Sequence, residues 1–198
     1  VPGTESSLQQ EQGSGADVRM VYSTFDALKI AKDNPEKEVV FLGIGFETTA
    51  PTVAAAIKTA HVRKFNNFSV LSAHKPLPPA MDALISGGDL DIDGFICPGH
   101  VSTIIGTSSY EAVVDRYNIP CVVVGFEPID ILQGILMLVE QLENSRAEVE
   151  IQYSRAVTPE GNPGALKAME EVFEPCDSPW RGLGVIPGSG MAIRRAFS

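Results

Sequence analysis

Val39-Val40-Phe41-Leu42-Gly43-Ile44-Gly45-Phe46-Glu47-Thr48-Thr49-Ala50-Pro51 reads as a strand, a loop and the opening of a helix. Val39 to Ile44 is short, β-branched and almost continuously apolar, which suits a strand covered on both faces. Gly45 to Pro51 interrupts that run, and a segment of helical length follows, Thr52 to His61. The same alternation extends outward from here. Strand candidates recur at Val18 to Tyr22, Phe68 to Ser72, Gly94 to Cys97 and Cys121 to Val124. Helix-length stretches recur at Phe25 to Lys32, Ala80 to Ser86, Tyr110 to Tyr117 and Ile129 to Glu143. Apolar strands alternating with helices imply parallel pairing through right-handed crossovers. The fold class is therefore α/β, a doubly wound, mostly parallel sheet with helices on both faces, Rossmann-like, over 17–147. Residues 1–16, rich in Gln, Ser and Gly, read as a linker. Residues 148–198 read as a C-terminal α/β tail or part of a neighbouring domain. That tail holds a strand at Val149 to Tyr153, a helix at Pro163 to Phe173 and a short strand at Leu183 to Ile186, punctuated by prolines.

Composition narrows the partners. The 198 residues are 44% hydrophobic and carry a formal charge of −10, which repels phosphate backbones and argues against nucleic acid. No apolar run approaches the ~20 residues that cross a bilayer, so no membrane is expected. Cys97, Cys121 and Cys176 are widely spaced, with no C-x-x-C pair, which fits a reducing, cytoplasmic setting. The chain opens on Val1 with neither an initiator Met nor a leader, as a piece of a longer protein would.

In an open parallel sheet, ligands gather beyond the carboxyl ends of the strands, where loops feed the positive ends of helices. Gly45 to Pro51 brings Glu47, Thr48 and Thr49 there. The pair of threonines and the carboxylate can dock an anion or a partner group, or can serve as N-cap and first-turn charge. Ser72 to Pro79 offers His74 beside Lys75 on a proline-stiffened turn. Cys97-Pro98-Gly99-His100-Val101-Ser102 sets a thiol and an imidazole three residues apart at a strand end, so Cys97 is a candidate soft metal ligand. Gly125 to Asp130 adds Glu127 and Asp130 at the start of a long helix, whose dipole also accounts for them. The stripe Ile131, Leu132, Ile135, Leu136, Leu138, Val139, Leu142 reads as helix core or an interface.

Four strings carry a family resemblance: GFETTAP at 45–51, CPGHVSTIIG at 97–106, GFEPIDILQGI at 125–135 and WRGLGVIPGSG at 180–190. In this order and spacing they resemble the hydrogenase maturation factor family HypD. The resemblance implies a scaffold with redox chemistry that holds iron with a small HypC-type chaperone. Cyanide delivered through a HypE-type donor, and carbon monoxide, are attached there to iron destined for nickel–iron hydrogenase. It carries Glu47, Thr48, Thr49, His100 and Ser102 over as site residues, and the scaffold reading adds His74 and Glu127 to the same cleft. The family's CGTHT-type motif, its GPGCPVC thiol pair and its carboxy-terminal four-cysteine cluster have no counterpart in this sequence. A 4Fe–4S cluster is therefore expected only in the full-length family, not in this chain. Two other readings stand beside it: a small-molecule transferase or hydrolase using Cys97 or Ser102 with His100 as base, and a plain interaction module docking through the apolar helix from Ile129 to Leu142.

Overall fold

The computed structural model describes residues 5–88 and 91–197. In chain order the elements are α1 (Leu8–Gly13), α2 (Thr24–Asp33), β1 (Val39–Gly45), α3 (Ala50–Arg63), β2 (Phe68–His74), α4 (Leu77–Ser86), β3 (Phe95–Pro98) and α5 (Gly99–Ile105). They continue with α6 (Glu111–Tyr117), β4 (Cys121–Val124), α7 (Pro128–Glu143), β5 (Val149–Ile151), α8 (Pro163–Val172), β6 (Phe173–Trp180) and β7 (Gly184–Ile193). β1 and β2 run parallel, from Val39 opposite Phe68 to Gly45 opposite His74. β4 lies between β3 and β5, parallel to both, and β6 pairs antiparallel with β7. Parallel strands joined through flanking helices give the expected Rossmann-like α/β class. The ladders form three separate sheets.

Three local expectations are corrected. Val18 to Tyr22 joins no ladder: Asp17 ties to Arg19 and Lys37, and a cavity of about 710 Å³ lies between Val18, Val21 and the Val39 to Leu42 side of β1. Strand propensity without a partner makes no strand. Inside the stretch read as a linker, Ser7 accepts a hydrogen bond from the Gln10 N–H and caps α1. After α8 the tail holds a full hairpin, β6 with β7, where a single short strand at Leu183 to Ile186 was expected. Pro175, Pro179 and Pro187 sit in it because each strand of a two-stranded ribbon has an unpaired side that needs no N–H.

β4 is the most buried strand: Val122 and Val123 are fully covered and Val124 is 2% exposed. Val123 packs with Cys97, Tyr110, Val113, Cys121 and Val157 on one face, while Val122 and Val124 meet Leu138 of α7 on the other. α7 comes this close through Gly134, where an added Cβ would sit 2.4 Å from Val124 Cγ2. Val124 is β-branched and enclosed, so it has little room to yield. Gly134→Ala is expected to cost about 1–3 kcal/mol, read as a lower urea midpoint with an unchanged slope. The α7 stripe, read as helix core or an interface, is mostly open rather than core: Ile131, Leu132, Ile135, Leu136, Val139 and Leu142 are 39–62% exposed, and Leu138 alone of the stripe is buried. The helix is apolar nearly all round, and the sheet covers only the side that carries Gly134, Leu138 and Gln141.

The C-terminal segment is tied to the first strand pair. Ala50, Val53, Ala54 and Ile57 of α3 pack with Met169, Val172 and Phe173, and Lys58 pairs with Glu171.

Candidate functional site

After β1 the chain must turn back sharply. Gly45 has φ +151°, and a Cβ there would meet Thr49 Oγ1 at 2.3 Å, so only glycine lets Thr49 close in. Thr49 Oγ1 donates to the Phe46 carbonyl at 3.2 Å and leaves the start of α3 without a side-chain cap. Thr48 and Thr49 are exposed, but Glu47 turns inward and is 2% exposed. Its Oε1 accepts the Leu77 N–H at 2.8 Å. Leu77 begins α4 and is followed by Pro78 and Pro79, which have no N–H, so Glu47 satisfies one of the few donors of that turn. Glu47 thus serves α4, not the helix that follows it. Burial pushes its carboxyl pKa up, and Oε2 has no partner among the described residues.

His74, at the end of β2, is 1% exposed, and a Cβ at Gly43 would lie 2.8 Å from its Cε1. Its ring centroid is 5.8 Å from that of Phe173, and burial pushes its pKa down, which favours the neutral imidazole. The neighbouring Lys75 turns the other way. Its Nζ donates to Ser178 Oγ at 2.8 Å and to the Pro179 carbonyl at 2.5 Å, and lies 4.9 Å from the centre of the Trp180 ring. Trp180 in turn lies 6.3 Å from Phe46, so the β6–β7 hairpin leans over the loops after β1 and β2.

The CPGHVS stretch is not a loop, because α5 begins directly at Gly99. A Cβ at Gly99 would stand 2.6 Å from the Val124 carbonyl, so glycine brings the helix start against β4. His100 is exposed, and its ring lies over Phe126 with centroids 4.2 Å apart. Ser102 is fully buried: its hydroxyl donates to the Pro98 carbonyl at 2.9 Å and is 3.0 Å from Tyr110 Oη, which therefore serves as the donor. Cys97 is a core thiol, 1% exposed, whose pKa is pushed well up by the Cys121 thiol beside it and by burial. Protonated and enclosed, it offers no thiolate to a metal. A nucleophile–base pair of His100 with Ser102 or Cys97 is not assembled.

Glu127 stands exposed ahead of α7 and makes no side-chain cap. Asp130, read from the sequence as another cleft carboxylate, is already occupied. Arg155 holds both of its oxygens, at 2.9 and 2.5 Å, and Gln152 Nε2 donates to Oδ1 at 2.9 Å. The Arg155 guanidinium and Gln152 hold the Asp130 pKa down to about 2. Gly125 makes room, since a Cβ there would lie 2.1 Å from Asp130 Oδ2. Arg155 and Gln152 lie beyond the quoted motifs, and nothing in their spacing announces the contact.

Of the residues singled out from the sequence, the structure brings His100 and Glu127 to one exposed rim with Phe126. Glu47 and Ser102 lie inward, Ser102 against Tyr110, whose phenol is held un-ionised by burial, by the Cys97 thiol and, to a smaller degree, by the charge of Glu47. His74 lies apart from that rim, between β1 and Phe173. Among the described residues, no three or more His, Cys, Asp or Glu side chains converge as a metal site, and no helix is long and apolar enough to cross a membrane.

Comparison of the sequence with known proteins assigns it to a family. The model of the HypD family, described as the hydrogenase formation hypA family, matches residues 1–198. Hydrogenase maturation factor HypD2 of Bradyrhizobium diazoefficiens is 48% identical over 206 residues, covering 100% of this chain and 54% of the relative. A putative hydrogenase expression/formation protein of Methanocaldococcus jannaschii is 47% identical, covering 100% of this chain and 55% of the relative. HypD of Escherichia coli is 48% identical, covering 98% and 52%. The chain thus spans about half the length of the curated relatives it matches. With a full-length family match and such relatives from bacteria and an archaeon, the chain belongs to the HypD family of hydrogenase maturation factors.

Proposed function

We propose that this chain forms the central part of a cytoplasmic scaffold for nickel–iron hydrogenase maturation. On it, a HypC-type small chaperone presents iron as cargo, and cyanide from a HypE-type donor and carbon monoxide are added to that iron. The observation that carries the reading is the rim beyond β3 and β4, where His100 lies on Phe126 beside Glu127. Phe126 and Ile129 are 56% and 60% exposed. Apolar side chains clustered with one imidazole and one carboxylate suit a partner surface that also orients polar ligands. In this reading His100 and Glu127, together with the exposed Thr48 and Thr49 after β1, donate to or accept from a cargo carried in by the partner. Their part is positioning, and the iron's own ligands come from elsewhere in the assembly.

The test is anaerobic infrared spectroscopy of the whole protein purified with its HypC-type partner. His100→Ala and Phe126→Ala are each expected to reduce the cyanide and carbonyl bands by about tenfold or more, as loss of an anchor worth about 1.4 kcal/mol or more would. Unchanged bands in both variants would remove the rim from cofactor assembly. The interaction-module reading instead expects exposed α7 substitutions such as Leu136→Ser to break the complex while rim substitutions are silent.

A further inference from the structure

One edge of β1 is unspent. Val39 N–H donates to the Asn67 carbonyl at 2.8 Å, and the Gly45 carbonyl accepts the Lys75 N–H at 2.9 Å. With the parallel register, this turns the backbone groups of Val39, Phe41, Gly43 and Gly45 to β2. The N–H and C=O groups of Val40, Leu42 and Ile44 then point to the opposite edge, where they meet no backbone partner among the described residues. Such an edge is a row of directional donors and acceptors, and an extended chain matches it.

The cavity of about 710 Å³ lies beside this strand. Four consecutive residues line it, Val39, Val40, Phe41 and Leu42. Successive side chains point to opposite faces, so a space that touches all four runs along the edge and not over one face. Val18 and Val21 line it too, with Ala27 and Ile30 of α2. The 18–22 segment brings a matching demand. It has the composition of a strand, yet Arg19, Met20 and Val21 make no backbone hydrogen bond among the described residues, and the side chains of Met20 and Tyr22 are exposed. Two stretches of strand character thus border one cavity, and neither is paired across it. Within layered sheets each residue of extended chain fills ~160 Å³, so the cavity has room for about four to five residues.

We propose that this cavity receives one further strand, an uncharged, proline-free segment that pairs with β1 on one side and with the 18–22 segment on the other, supplied by the part of the family proteins that this chain does not span. The lining is mostly apolar, and its charges Asp17, Arg19 and Lys37 are already joined to one another, which leaves no counter-charge for a charged insert. A strand paired on both sides needs every N–H, which excludes proline. The chain covers 52–55% of the relatives named above, so nearly as much length again lies outside it. A second copy fits less well. Copies that each carry a formal charge of −10 repel one another, and the 18–22 segment of each already lines its own cavity. The inference rests on the family membership and not on the maturation reading.

The experiment is amide hydrogen exchange, read residue by residue by NMR, in this chain and in the whole protein at the same pH. In this chain Val40 and Leu42 are expected to exchange fast, while Phe41 and Gly43, bonded to β2, are protected. In the whole protein Val40 and Leu42 are expected to slow by about a hundredfold or more, together with alternate amides of the 18–22 segment. Val40→Pro removes a donor from the free edge alone. It is expected to leave Phe41 and Gly43 protected in this chain, and to cut the added protection of Leu42 in the whole protein by about tenfold or more. Equal exchange of Val40 and Leu42 in chain and whole protein would overturn the proposal. So would protection gained equally by odd and even residues, which is general stiffening, or protection that grows with the concentration of this chain alone, which makes a second copy the occupant. None of these readouts involves the HypC-type partner or the infrared bands, so the two readings fail separately.

Discussion

Gly106→Ala is expected to be among the most destabilising single substitutions in this chain, at about 3 kcal/mol or more. Two costs combine. Gly106 closes α5 at φ +77° and ψ 173°, a region open essentially to glycine, where an alanine costs on the order of 1–3 kcal/mol. Its missing Cβ also matters, because an added one would lie 2.1 Å from the Pro159 carbonyl oxygen and 2.7 Å from the Gly161 nitrogen. Both are backbone atoms and cannot swing aside, so relief requires two chain segments to separate, at roughly another 1–3 kcal/mol. Gly161, at φ +67°, makes the reciprocal approach, with its Cβ position 2.3 Å from the Ile104 carbonyl oxygen. Separation would break the Asn162 N–H bond to Ile104 O at 3.0 Å and the Ser108 N–H bond to Pro159 O at 3.2 Å. Asn162 also caps α8, so the damage reaches the helix that packs on α3. Urea unfolding should place the midpoint of Gly106→Ala well below that of Gly134→Ala. Gly106→Ala with Gly161→Ala should fall short of the sum of the two, since both break one contact. A midpoint close to that of the unmodified chain would show that the crossing is looser than its geometry.

The parallel strands were legible because their signal is local. β1, β2, β3 and β4 are each a short apolar run ending at Gly, Pro or a polar loop, and each appears within two residues of its expected bounds. What failed depended on partners. Val18 to Tyr22 has the composition of a strand but no edge paired to it, and the α7 stripe, with a sheet on one side only, kept just Leu138 of the core half of its core-or-interface reading. The hairpin was half-read because proline normally excludes a central strand, and nothing in the sequence says that a ribbon has no centre. The site divides in the same way. Gly45, His100 and Glu127 stand where the strand-end rule puts them. The inward turn of Glu47, the enclosure of Cys97 and Ser102, and the capture of Asp130 by Arg155 each arise from contacts 8 to 30 residues away, which no periodicity encodes.

Glu47→Gln is expected to separate stability from function. Burial raises the Glu47 pKa in the folded chain above its unfolded value, so its favourable contribution is complete below the ordinary carboxylate range and is lost as pH rises through the folded value. Near neutral pH the unmodified chain therefore either holds a proton on Glu47 or carries an enclosed charge whose Oε2 has no partner among the described residues. Glutamine keeps the shape, still accepts the Leu77 N–H through its oxygen, and has no charge to enclose. Thermal melts across a pH series should show the Gln variant at least as stable as the unmodified chain near neutrality, with any gain vanishing as the pH falls below the carboxylate range. Glu47→Ala, by contrast, leaves the Leu77 N–H unsatisfied and should cost about 1–3 kcal/mol at any pH. A fold that keeps a carboxyl where an amide would sit more comfortably is retaining it for something other than stability. In the infrared assay Glu47→Gln is accordingly expected to lower the cyanide and carbonyl bands about tenfold, the loss that follows when a charge-assisted hydrogen bond or a proton store is removed. Full bands in a stable Gln variant would reduce Glu47 to the cap of α4. A Gln variant clearly less stable at neutral pH would mean that Oε2 is satisfied as an anion, and the argument from burial would fall with it.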